Sequence, residues 1–172
     1  KAFHLTQAGK AKPGFAASLG QNLFGGHTIL FNAATLDLIR AAGSPAGIAF
    51  HDWWIYQIIT GCGGRILRDE EPVLLYRQHG KNVLGAAMRG RFRRRLSRVL
   101  SGQWGGEMRA HAEALAKSAL LLTPEARAIL RDYLSAPANG FARVESFRRL
   151  GLRRSSRGGD ALMLGAAFAG LL

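Results

Sequence analysis

The chain has 172 residues, 48% of them hydrophobic, and a formal net charge of +13. This is enough apolar content for a core, which argues against disorder throughout. Residues 1–85 carry a net charge of +3 and residues 86–172 a net charge of +10, the latter supplied by arginines with Lys117 as the one lysine. Forked guanidinium contacts to phosphates fit that composition better than simple solubility.

The single cysteine, Cys62, has no partner for an internal disulfide and stands in a Gly-Cys-Gly-Gly setting. It reads as a small packing residue in a reducing compartment. No segment has the charged start, apolar middle and small-residue cleavage site of a signal peptide, and no apolar run reaches the length of a spanning helix. The expected location is cytoplasmic. The chain begins at Lys1, which fits a piece of a longer polypeptide.

In chain order, residues 1–20 mix glycines, lysines and Pro13 with little periodicity and predict a loop that packs on something else. Phe24-Gly25-Gly26-His27-Thr28-Ile29-Leu30-Phe31-Asn32 predicts a glycine break and a short strand, followed by a helix over Ala33–Ala42 that stops at Gly43. Ser44–Gly47 is a turn. Asp52 then stands at or just before the start of a helix through Thr60, where a carboxylate is electrostatically favoured, and Gly61, Gly63 and Gly64 end it. Arg65–Arg68 and Val73–Tyr76 predict two short strands, the second delivering Arg77, Gln78 and His79 at its exit.

Beyond Gly85 the pattern becomes helical. Met88, Phe92, Leu96, Val99 and Leu100 recur on one face of a basic amphipathic helix ending near Gly102. A second helix is expected from about Met108 to Leu122, and a third capped by Thr123 with Pro124 at its first position. Asn139 can cap a fourth, and an Arg/Gly/Ser-rich turn precedes the apolar Ala161–Leu172. Helix length, capping and charge all differ, so no internal repeat is present.

The chemistry-bearing residues concentrate in the first half. Asp52 beside Trp53 and Trp54 can take a proton from a hydroxyl held within hydrogen-bond reach while an indole stacks on a sugar face; equally, Asp52 can cap its helix while both tryptophans fill core. His79 can approach a divalent cation bridged by diphosphate, and Arg77 can fork onto the same phosphates; a solvated histidine and a surface arginine are the plain alternatives. Lys81 adds charge. Gln78 and Asn82 can hold sugar hydroxyls or cap a turn.

Three ordered segments, Asn22–Asn32, Ala49–Trp54 and Asp69–Val83, resemble family 2 inverting glycosyltransferases, especially bacterial rhamnosyltransferase-like members that build cell-wall or surface polysaccharide. The similarity covers roughly residues 15 to 85. It implies an α/β fold: the C-terminal, acceptor-side half of a GT-A-type domain over residues 1–85, followed by a mainly α-helical, Arg-rich tail over residues 86–172.

It further implies that Asp52 is the general base, deprotonating a glycan or lipid-linked acceptor that attacks the anomeric carbon of a nucleotide sugar, rhamnose being a candidate. Arg77 and His79 would meet the donor phosphates, with His79 also approaching Mg²⁺ or Mn²⁺. Trp53, Trp54, Gly26, His27 and Gln78 would contact the acceptor. In place of the family's Glu-Asp pair stands His51-Asp52, and no Asp-x-Asp metal motif occurs in the chain. The nucleotide-binding half is thus missing, and this polypeptide alone is expected to transfer no sugar.

The basic helix Met88–Leu100 is expected either to dock on anionic lipid at the inner face of the cytoplasmic membrane or to pack on its own domain. Nucleic acid ranks last among partners, because no reading motif accompanies the arginines. A function of a different class also fits: a non-catalytic helical module that holds a membrane surface or a partner protein.

Overall fold

The computed structural model describes residues 3–4, 12–69, 76–77 and 91–172. Among them the chain is helical, with eight α-helices: α1 (Phe15–Gly20), α2 (Ala33–Ala42), α3 (His51–Gly61), α4 (Arg91–Leu100), α5 (Gln103–Lys117), α6 (Pro124–Leu134), α7 (Gly140–Arg149) and α8 (Arg157–Phe168). The extended structure described is one two-residue antiparallel pair, β1 (Phe3–His4) with β2 (Tyr76–Arg77), in which Phe3 pairs with Arg77 and His4 with Tyr76.

The expected α/β, GT-A-type architecture is therefore overturned. Ile29–Asn32, read as a strand, has no neighbouring strand among the described residues to complete a ladder. A 3-10 turn at Gly26–Thr28 precedes it, Leu30 is 98% exposed, and Asn32 leaves the run to cap α2, its side chain accepting the Thr35 N–H at 2.9 Å. Arg65–Arg68 likewise runs without strand pairing after the left-handed Gly63. Short β-prone runs form strands only where a partner saturates their backbone groups, and here helices occupy the space around the core. The loop expected over residues 1–20 is also corrected: Phe15, Ser18 and Leu19 recur at helical spacing and are buried as the inner face of α1.

Local signals set several helix ends. Thr123 accepts the Ala126 N–H at 3.2 Å and Pro124 occupies the first position of α6, where its missing N–H costs nothing. Ser156 accepts the Gly159 N–H to start α8, and Gly43 (φ 70°) ends α2 in a left-handed conformation that a Cβ would disfavour. Asn139 precedes α7 without a side-chain cap bond.

The core is built where α1 lies on α3, α3 on α2 and α5, and α5 on α4 and α6, with α6 leading into the α7–α8 pair. Leu19, Tyr56, Ile58, Met108, Leu115, Phe147, Leu152 and Met163 are fully buried in it. Residues from before and after position 85 share this core. The Thr123 N–H donates to the Gly61 carbonyl, and the Gln21 side chain bridges to Arg153 and Ser155.

Of the basic amphipathic segment, 91–100 is helix α4, whereas Met88 lies outside the described residues. Where α4 packs on α5, Val99 is buried and Leu96 half-buried, with Leu100 left 63% exposed. Among the described residues no helix is long and apolar enough to cross a membrane.

Candidate functional site

Asp52 occupies the first turn of α3 and is half-buried. Its Oδ2 accepts the Gly26 N–H at 3.0 Å and its Oδ1 accepts the Trp53 N–H at 2.8 Å. These two backbone donors fix the orientation of the side chain at the start of α3. Each oxygen keeps a lone pair for a further proton donor.

The bond from Gly26 joins segments 26 residues apart in sequence. The approach is close: a Cβ on Gly26 would stand 2.7 Å from Nε2 of the exposed His51 side chain, which would have to swing aside, and 3.5 Å from Asp52 Cβ. His51 and His27 both lie at the surface beside this contact, His27 within the 3-10 turn and His51 at the start of α3. Along α3, positions 52, 55, 56 and 59 share one face. Ile55, Tyr56 and Ile59 line a cleft of about 460 Å³, whose other walls include Phe24, Thr28 and Ile66. Asp52 thus stands at the N-terminal end of the helix stripe that forms one wall, and Thr28, from the turn bonded to Asp52, contributes to another.

Trp53 and Trp54 lie elsewhere than at a sugar-facing surface. Each is 3% exposed, the Trp53 indole N–H donates to the Ser18 carbonyl at 2.6 Å, and that of Trp54 donates to the Gly43 carbonyl at 3.0 Å. They brace α3 from beneath, against α1 and the end of α2. Arg77 is described only as the strand residue opposite Phe3. Gln78, His79, Lys81 and Asn82 lie outside the described residues, and with them the expected metal and phosphate contacts. Among the described residues, no group of three or more His, Cys, Asp or Glu side chains is arranged to hold a metal ion, so the residues around Asp52 do not by themselves fit one. The Cys62 thiol is half-buried, and burial pushes its pKa up, which disfavours the thiolate a nucleophile would need.

One residue that carries no motif in the sequence sits directly behind the site. His111, on α5, is fully buried, with its ring 4.5 Å from that of Trp53. Its Nδ1 lies 2.9 Å from Gln57 Oε1, while Gln57 Nε2 donates to the Ser18 carbonyl. That orientation of the Gln57 amide assigns the proton to Nδ1, which donates, leaving Nε2 as a buried acceptor without a partner. Its one signal in the sequence is its register: Met108, His111, Ala112 and Leu115 follow core-facing helical spacing.

Burial lowers the His111 pKa to about 4, with the Asp52 charge pulling it the other way. The imidazole is neutral in the folded chain and ionises near 6.5 when unfolded, so the unfolded state binds more protons between those values. Stability is full above about pH 6.5 and falls as pH drops towards 4. The loss is about 2 kcal/mol after allowance for solvent screening. Urea unfolding at pH 7 and pH 4 should show that loss in the wild type, and His111→Leu should flatten the difference.

Compared with known proteins, the chain matches no protein-family model, no curated protein and no solved structure.

Proposed function

We propose that this chain carries the acceptor-activating side of an inverting sugar transfer, with Asp52 as general base. In this reading Asp52 takes the proton of an acceptor hydroxyl as that oxygen attacks the anomeric carbon of a nucleotide-activated sugar, and the nucleoside diphosphate leaves with the bonding pair. A cell-surface glycan or lipid-linked saccharide is the acceptor class. The observation that carries the reading is the Gly26 N–H bond to Asp52 Oδ2. It brings two of the three resemblance-bearing segments into one place and orients a carboxylate on the helix whose next turns, at Ile55, Tyr56 and Ile59, line a cleft of saccharide size. Gly26 positions the carboxylate, and Trp53, held by Ser18 and His111, keeps the first turn of α3 in place.

The direct test is acceptor binding, followed by NMR. Surface-polysaccharide oligosaccharides should shift the amide signals of Gly26 and Trp53 in the wild type. Asp52→Asn should weaken the response, because the amide no longer offers an anionic acceptor. Where the chain is joined to a donor-binding segment and turnover is measured, the same substitution should lower kcat by roughly 10²–10⁴-fold. A folded chain whose Gly26 and Trp53 signals ignore every glycan sinks the proposal.

A second reading, a non-catalytic helical module, is favoured by the burial of both tryptophans, which removes the two indoles expected to stack on a sugar. The glycan titration separates the two, since a module of that kind gives no response at Gly26.

A further inference from the structure

A cationic cluster gathers at the corner between α4 and α5. On α4, Arg93, Arg94 and Arg95 are exposed, and Arg94 and Arg95 are the (i, i+4) and (i, i+3) neighbours of Arg98. Arg98 pairs with Glu107 on α5, while its Nε is buried without a hydrogen-bond partner. From the turn before α8, Arg154 lays its guanidinium 4.6 Å over the Trp104 ring and donates through Nη1 to the Gly20 carbonyl at 2.7 Å. Trp104 and Glu107 are one turn apart on α5, so Arg98 and Arg154 flank the same stretch of that helix.

The cluster's charge is incompletely balanced. Glu107 serves Arg98, and Asp160 Oδ1 is already engaged by the Arg154 backbone N–H at 2.6 Å. Burial lowers the Arg154 pKa to about 10; Arg95 lowers it further, Asp160 opposes this, and Arg98 adds to the depression. Like charges held together in a partly desolvated corner repel, and a multivalent anion relieves that repulsion.

We propose that Arg95, Arg98 and Arg154 form a binding site for a phosphate group, a monoester or a diphosphate. Guanidinium forks match phosphate oxygens in pairs, and no lysine takes part. The site stands independently of the sugar-transfer reading. A phosphate can arrive on a lipid headgroup or in solution, and exposed Leu100 at the end of α4 suits the first source.

The test uses the full chain in two arms. In one, inorganic phosphate and diphosphate are titrated against sodium chloride at matched ionic strength, with Tm as readout. In the other, flotation is compared on phosphatidylcholine vesicles with and without phosphatidic acid, whose headgroup is a phosphate monoester. Arg95→Gln alters an exposed side chain, and Arg149→Gln makes the same charge change on exposed α7.

Diphosphate should raise the wild-type Tm, Arg95→Gln should weaken its binding about tenfold, and Arg149→Gln should leave it unchanged. Flotation that needs phosphatidic acid and is lost in Arg95→Gln upholds the site with a lipid headgroup as the source. A Tm response without flotation upholds it with a soluble phosphate. No response in either arm overturns it, as does an equal loss in both variants, which would reduce the effect to diffuse charge.

Discussion

Gly105→Ala is expected to destabilise the fold by about 3 kcal/mol, although alanine is the better helix former. Gly105 is buried in α5, and a Cβ there would stand 2.1 Å from the Leu171 carbonyl oxygen and 2.9 Å from Leu172 Cα. These are backbone atoms and cannot swing aside as a flexible side-chain end can. Either α5 moves or the segment after α8 is displaced. The neighbouring Gly106 supplies the control: a Cβ there would meet nothing within 4 Å, so Gly106→Ala should show the propensity gain alone, up to about 1 kcal/mol of stabilisation. Urea unfolding of the two variants, side by side, should therefore give changes of opposite sign. A Gly105→Ala protein as stable as the wild type would mean that Leu171 does not pack on α5 as described.

Removing Arg143 should have a comparable effect on the same segment. Its Nη2 donates to the Leu172 carbonyl at 3.0 Å and its Nη1 to the Ala136 carbonyl at 3.2 Å, while the guanidinium stacks 4.6 Å from the Phe147 ring centroid and 5.6 Å from that of Tyr133. The residue is 3% exposed, and burial lowers its pKa. Arg143→Ala leaves two carbonyls without their donor and opens space beside the stacked Tyr133 and Phe147 rings. Charged hydrogen bonds are worth about 1.5–3 kcal/mol each, offset by the relief of a buried charge, so a net loss of about 3 kcal/mol is expected. Arg143→Lys should recover little, because one ammonium cannot span both carbonyls as the planar fork does. Thermal unfolding followed by near-ultraviolet circular dichroism, which reports on Tyr133 and Phe147, measures both variants. Gly105 and Arg143 converge on residues 171–172, so combining their substitutions should cost less than the sum of the single effects.

Much of the helical outline is legible because its signals act within one turn. Gly43 ends α2 where the spacing of Leu36 and Ile39 places it, and Thr123-Pro124 starts α6 as expected. The apolar run Ile29–Phe31 misleads because a β-prone triplet looks alike whether or not a neighbouring strand exists to complete its ladder. The helix Phe15–Gly20 is hidden for the converse reason. Six residues span fewer than two helical turns, and α1 is held chiefly by burial of Phe15 and Leu19 against α3 and α5. At the candidate site, Asp52 stands out from its place beside two tryptophans. The direction of those indoles does not, since an aromatic ring next to a carboxylate serves a cleft or a core equally well.

By itself the sequence determined the stop of α2 at Gly43, the Thr123-Pro124 start of α6, the concentration of arginine in the second half and the candidacy of Asp52. Each depends on a side chain and its near neighbours along the chain. Only the tertiary structure decided that Gly26 meets Asp52, that Gln57 and His111 close the back of the site, and that Arg98 and Arg154 flank one face of α5. These pairings join residues far apart in sequence, and they form because several half-apolar helices can bury their faces only against one another.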